Sequence, residues 1–174
     1  MNSLLIIGAG GHGQVVKEIA RDLGYERIDF IDDHNSCAIG KIKDLENFKE
    51  YQNAFVGIGN NKLRNELIDL LERLGYQVPV LIHPTAYISR SALIEAGTVV
   101  EPKAIVNANT KIKRGSIVSV GAIVDHDVVL GKCVHINAGA IVKAGGKVKD
   151  FEKLEAGEVR LGYKQAIITA NSNN

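Results

Sequence analysis

The chain has 174 residues, a formal net charge of +1 and two cysteines. The even acid–base balance argues against a dedicated nucleic-acid or anionic-membrane surface, and no apolar run is long enough to span a bilayer. A cytoplasmic protein of one or two domains is therefore expected, with Cys37 and Cys133, which follow no metal or redox spacing, as free thiols.

Leu4-Leu5-Ile6-Ile7 reads as a short buried strand. It lacks the charged flank and cleavage site of a signal peptide. The strand runs into Gly8-Ala9-Gly10-Gly11-His12-Gly13, and Val15, Val16, Ile19, Ala20 and Leu23 then give a helical face ended by Gly24. Ile28–Ile31 is a second strand, closed by Asp32-Asp33, and a polar stretch runs to about Gln52. Ala54–Ile58 is a third strand, leading into Gly59-Asn60-Asn61. Leu63, Leu67, Leu70, Leu71 and Leu74 mark a second helix stopped by Gly75. Residues 1–80 thus read as a Rossmann-like domain, a β-α-β arrangement with a parallel sheet amounting to half of a doubly wound fold.

From Ile82 the pattern changes. Stepping six residues at a time lands on Ile88, Ile94, Val100, Val106, Ile112, Val118, Val124, Leu130, Ile136, Val142, Val148 and Leu154. Four residues after most of these stands a small one, such as Ala86, Thr98, Ala104, Ser116 or Ala140. Neither helix nor plain strand has period six, whereas a parallel β-helix does. Three hexapeptides close one coil, the aliphatic residue points inward, and stacked coils supply the core. Residues 81–160 therefore read as a hexapeptide solenoid of about four coils. The next step would be Arg160, and Glu152 and Glu158 occupy small-residue slots, so the core is expected to end there. Residues 161–174 are expected to form a cap, over 161–168, and a tail.

Three groups of residues carry chemical promise. Gly8, Gly10 and Gly13 have the G-x-G-x-x-G spacing between a strand and a helix, where backbone amides approach phosphate. Asp32 lies where a ribose-binding acid is expected. One mononucleotide-binding half suits a single nucleotide diphosphate, as in a nucleotide sugar, better than NAD. Glycines that merely permit a tight turn are the plainer alternative. His12 in this loop offers a donor to a phosphate oxygen. Gly59, Asn60 and Asn61 end the third strand, so they converge on the same crevice, and one asparagine is also expected to cap the following helix. Lastly, His126 stands between Asp125 and Asp127, nine residues before His135. It follows buried Val124 by two and should face outward. Acyl transfer to an amine or hydroxyl needs a base, and either neighbouring carboxylate can orient the imidazole and raise its basicity.

With these residues in place, the chain resembles the PglD/NeuD family of sugar acetyltransferases over nearly its whole length. The likeness is carried by Gly8–Gly13, Phe30-Ile31-Asp32-Asp33, Gly57–Asn61, Leu81-Ile82-His83-Pro84, and Asp125-His126-Asp127 with His135. It implies a left-handed solenoid that forms a homotrimer, with acetyl-CoA as co-substrate in the groove between prisms. It also implies that Gly10, Gly11, His12, Asp32, Asp33 and Gly59 hold a UDP-linked amino sugar, and Asn60, whose amide offers both a donor and an acceptor at the same strand end, is expected to bind it too. His126 would be the general base, Asp127 its partner, and His135 a contact for acetyl-CoA. The family's later motifs, resembling I-G-x-x-x-x-I-G and V-x-G-x-P-A, have no counterpart after Leu154. The expected activity is N-acetylation for bacterial glycan assembly. O-acetylation, or a trimeric nucleotide-sugar-binding protein without catalysis, are the alternatives.

Overall fold

The computed structural model describes residues 2–163. The expected cap falls outside them from Lys164 onward, as does the whole tail. Three parallel strands, β1 (Ser3–Ile7), β2 (Arg27–Ile31) and β3 (Asn53–Val56), form a sheet in the order β2-β1-β3. β1 is apolar on both faces because both are covered. Leu4 and Ile6 enter one core with Val16, Ile19 and Ala20 of helix α1 (Gly11–Asp22). Leu5 and Ile7 enter a second core with Leu67, Ile68 and Leu71 of helix α2 (Asn61–Arg73). The polar stretch before β3 holds a 3-10 helix, Ile42–Phe48, anchored by buried Leu45.

Both helices bury a face slightly rotated from the one their sequence spacing predicts. In α1, Val15 is exposed and Gly13 is buried instead. In α2, Leu63 is exposed and Arg64 is 1% exposed. The cause is the partner: α2 packs against a corner of the second half of the molecule, where a guanidinium meets carbonyl oxygens.

That second half is a solenoid. Fourteen two-residue parallel strands, one every six residues, run from β4 (Leu81–Ile82) to β17 (Val159–Arg160). They stack eighteen residues apart into three sheets of five, five and four strands, about four turns that match a left-handed β-helix. The period-six residues line its interior, fully buried from Val100 to Leu154, with Ile82, Ile88 and Ile94 half-buried at the start. Thr98, Ala104, Thr110, Ser116, Ala122 and Ala140 fill the inner corners and are also buried. Val128 and Val134 fit the same slots. After Leu154 the ladder ends in charge: Arg160 pairs with Glu152 at 2.6 Å and Glu158 at 3.5 Å.

At every sixth residue from Gly97 to Gly157 the chain turns a corner in the left-handed region. Six of these positions are glycine; Lys103, Asn109, Asp127, Cys133 and Phe151 take the others despite the steric cost of a Cβ.

The first sheet faces the α/β half. Its outward residues Leu81, Val99 and Ile117 join α1 in one core. Among the described residues no helix is long and apolar enough to cross a membrane.

Candidate active site

The N-terminus of α1 is positioned by glycine contacts. A Cβ on Gly13 would overlap the Gly8 carbonyl, and one on Gly57 would crowd Gly13. This closeness brings the ends of β1 and β3 against the first turn of α1. The N-cap, Gly10, has no capping side chain, and Gly10 and Gly11 are exposed. Their amides therefore face solvent with the favourable end of the helix dipole.

Asp32 is engaged by the backbone around it. Its Oδ2 accepts the Ala9 N–H at 2.8 Å, and its Oδ1 accepts those of His34 and Asn35 at 2.8 and 3.0 Å. Hydrogen bonds from the Ala9 and His34 amides hold its carboxyl below the usual range. Asp32 thus shapes the glycine loop. Asp33 is exposed, with one oxygen on the Ile42 N–H at 3.0 Å. Two adjoining clefts, about 230 and 320 Å³, open here and share Asp32, Asp33 and His34; the smaller also reaches Gly8, Ile58 and Leu63. Asn60 caps α2, its Oδ1 accepting the Lys62 and Leu63 amides at 3.1 Å.

His12 and His135 come together although they lie far apart in sequence. Their ring centroids are 6.4 Å apart, across the seam between α1 and the first sheet. Burial is the main cause that lowers each to a pKa of about 4, so both rings are neutral near pH 7. His135 Nε2 meets Ser119 Oγ at 3.1 Å. His12 Nδ1 lies 3.7 Å from Glu101, and its buried Nε2 has no partner among the described residues.

His126 stands apart from this pair. It lies in the corner turn between β11 (Ile123–Val124) and β12 (Val129–Leu130), with its side chain outward as expected. Asp127 there has φ of 57°, which turns its carboxylate back toward the ring. His126 Nδ1–H donates to Asp127 Oδ2 at 2.7 Å, leaving the lone pair of the neutral ring on Nε2. Asp125, the other candidate partner, instead accepts the His126 backbone N–H at 2.8 Å. The bond to Asp127 raises the His126 pKa, and the same bond chiefly lowers that of Asp127. The ring is half-exposed, so Nε2 is reachable.

Sheets two and three meet at the His126 corner, so it lies on the edge opposite the first sheet, which carries His135. Within one chain the two groups do not meet. The second sheet displays an outward ladder, Tyr87, Ile105, Ile123, Ile141 and Val159, in lateral register and apolar but for the Tyr87 hydroxyl.

Three participants escaped the sequence reading: Arg64, Glu101 and Tyr163. Arg64 had a signal, since it shares the 64, 67, 71 stripe with two leucines. The other two had none.

The geometry defines a hexapeptide β-solenoid carrying a histidine–carboxylate pair on a corner and a glycine-loop α/β unit against one face. Residues 3–71 match the family model described as the PglD N-terminal domain. The acetyltransferase domain of PglB from Neisseria gonorrhoeae FA1090, solved in complex with acetyl coenzyme A, is 39% identical with a TM-score of 0.87, covering 91% of this chain and 81% of that one. PerB from Caulobacter crescentus, solved in complex with CoA and GDP-perosamine, is 27% identical with a TM-score of 0.81, covering 93% and 90%. The UDP-N-acetylbacillosamine N-acetyltransferase of Bacillus subtilis (strain 168) is 31% identical over 120 residues, 58% of this chain. This chain spans about half the length of that curated relative, 51%. The chain belongs to the PglD-like family of β-helix sugar acetyltransferases.

Proposed function

We propose that this protein transfers an acetyl group from acetyl-CoA to the amino group of a nucleotide-linked amino sugar, with UDP as the nucleotide. The observation that carries the reading is the His126–Asp127 bond on an exposed corner. The neutral amine attacks the thioester carbonyl carbon, and His126 Nε2 takes a proton from nitrogen as the C–N bond forms. Collapse of the tetrahedral intermediate breaks the C–S bond, and the imidazolium returns the proton to the departing thiolate. Asp127 fixes the tautomer and stabilises the charged ring.

The diphosphate would lie on the Gly10 and Gly11 amides, with His12 beside it in the first turn of α1. Asp33, Gly59 and Asn60 would border the nucleoside, and Asp32 would hold the loop in shape. His135, beside His12, would contact the acyl donor.

The separation of His126 from His12 within one chain supports a homotrimer, in which one copy's corner histidine completes its neighbour's crevice. The apolar ladder of the second sheet supports the same assembly, since a surface of that kind is normally covered. The relatives' substrates, GDP-perosamine and acetyl-CoA by name, support the substrate class. A cytoplasmic location fits the need for acetyl-CoA.

The test is His126→Ala, assayed with acetyl-CoA and a UDP-amino sugar. The expected result is a loss of about 10²–10⁴-fold in kcat with nucleotide-sugar binding intact by calorimetry. Full activity would overturn the reading, and sedimentation of a monomer at assay concentration would remove its trimeric part.

A further inference from the structure

The corner column that holds Asp127 continues in both directions. At eighteen-residue intervals it runs Asn109, Asp127, Gly145 and Tyr163. Asn109 Nδ2–H donates to Asp127 Oδ1 at 3.1 Å from the preceding coil. Tyr163 stands two coils later, and its O–H donates to Asp127 Oδ2 at 3.1 Å. That oxygen is the one that accepts the His126 Nδ1–H.

The reach across a coil depends on Gly145. A Cβ there would overlap the Tyr163 ring on three of its carbons. Tyr163 is further held by its backbone N–H, which donates to the Ala144 carbonyl at 3.0 Å. Its ring centroid is 6.4 Å from that of His126.

We infer that Tyr163 is a positioning residue of the His126 site, whose hydroxyl, threaded past Gly145, fixes the Asp127 carboxylate and shares its charge, and so sets how basic His126 is. This rests on the reading of His126 as the general base. A carboxylate oxygen has a limited capacity to accept. A second donor on Oδ2 withdraws charge from the bond to the imidazolium and moderates the rise that Asp127 imposes. The charged and titratable groups around His126 are Asp125 and Asp127 on its own turn and Tyr163 two coils on, with Lys143 in register below Asp125. The preceding coil contributes the amides of Asn107, on Asp125, and Asn109, on Asp127.

The experiment compares the wild type with Tyr163→Phe and Gly145→Ala. The first keeps the ring and loses the donor; the second keeps the hydroxyl and evicts the ring. The His126 ring protons are followed by NMR from pH 5 to 9, and the pH profile of kcat/KM is recorded in parallel. Both variants are expected to titrate His126 higher by roughly 0.5 pH unit, with the acid limb of the profile moving up by the same amount. Identical titration in all three proteins overturns the inference, because a packing role for the ring would leave the Tyr163→Phe curve unmoved. A shifted titration in protein that has no acetyltransferase activity in any form would uphold the contact and defeat the proposed function instead.

Discussion

His126 acts through what its neighbour cannot comfortably do. Asp127 occupies a left-handed corner that six of the eleven such positions give to glycine. Aspartate tolerates that conformation better than most residues, and the turn aims its carboxylate at Nδ1. The resulting pKa rise has a definite sign in kinetics. The base works when neutral, so the wild-type rate should fall as pH drops through a value above the ordinary 6.5 of histidine. Asp127→Asn removes the charge that holds the proton. Its acid limb should therefore move to lower pH while its plateau falls, because the ring is a weaker base and its tautomer is less fixed. A pH profile of kcat/KM checks this, and an unmoved limb would dissociate Asp127 from the chemistry. At this scale the sequence made His126 and its two flanking acids visible, because an exposed imidazole between carboxylates has few structural reasons to exist. It did not distinguish Asp125 from Asp127, since that choice depends on one backbone torsion. Nor could it reveal that Asp32 spends its oxygens on three backbone amides, which is a property of loop geometry.

Helix α2 shows what element-level patterning captures and what it misses. Its leucine spacing marked a helix, but the buried stripe contains Arg64. That guanidinium makes hydrogen bonds to the carbonyls of Gly115 at 2.6 Å, Ile58 at 2.9 Å and Cys133 at 3.0 Å, and to Asn61 Oδ1 at 2.7 Å. It is a buried cation satisfied by neutral acceptors, and burial lowers its pKa to about 10. Asn61 adds bonds to the carbonyls of Phe151 and Glu152 at 2.9 and 3.2 Å. Together they tie the loop after β3 to successive corners of the solenoid. Arg64→Met should destabilise the fold by about 3 kcal/mol or more, because several buried carbonyls lose their donor. Arg64→Lys should recover only part of this, since an ammonium cannot span the same fork of acceptors. Denaturant titration with a constant m-value measures both, and a loss below 1 kcal/mol for Arg64→Met would show that water replaces the guanidinium freely. The helical period places Arg64 on the buried stripe with Leu67 and Leu71, and only its charge argued for the solvent side; the carbonyl acceptors that satisfy it come from distant corners that the period does not show.

For the molecule as a whole, two cores meet around the sheet and a third fills the solenoid, and the seam between them buries two imidazoles. His12 and His135 have folded pKa values near 4, below the 6.5 of an unfolded chain. The unfolded state therefore takes up protons first, and stability falls as pH drops from about 6.5 toward 4. The loss is on the order of 3 kcal/mol for His12 and less for the better-solvated His135. Glu101, raised by burial, opposes part of it. The thermal midpoint should drop across this window, and His12→Gln should flatten the fall; parallel slopes would exclude His12 as the cause. The solenoid was the most legible part of the sequence because its core is one residue type at one interval, needing no knowledge of distant contacts. The pairing of His12 with His135 was not legible, since it depends on how α1 lies against the first sheet. The eighteen-residue stacking distance also governs how this chain can change in length. A single-residue deletion between Ile82 and Leu154 would turn every later inward aliphatic off the axis, whereas excising one full circuit would leave the flanking ladders in phase. Viable insertions and deletions in this stretch should accordingly come in whole circuits, or as loops extruded at a bend.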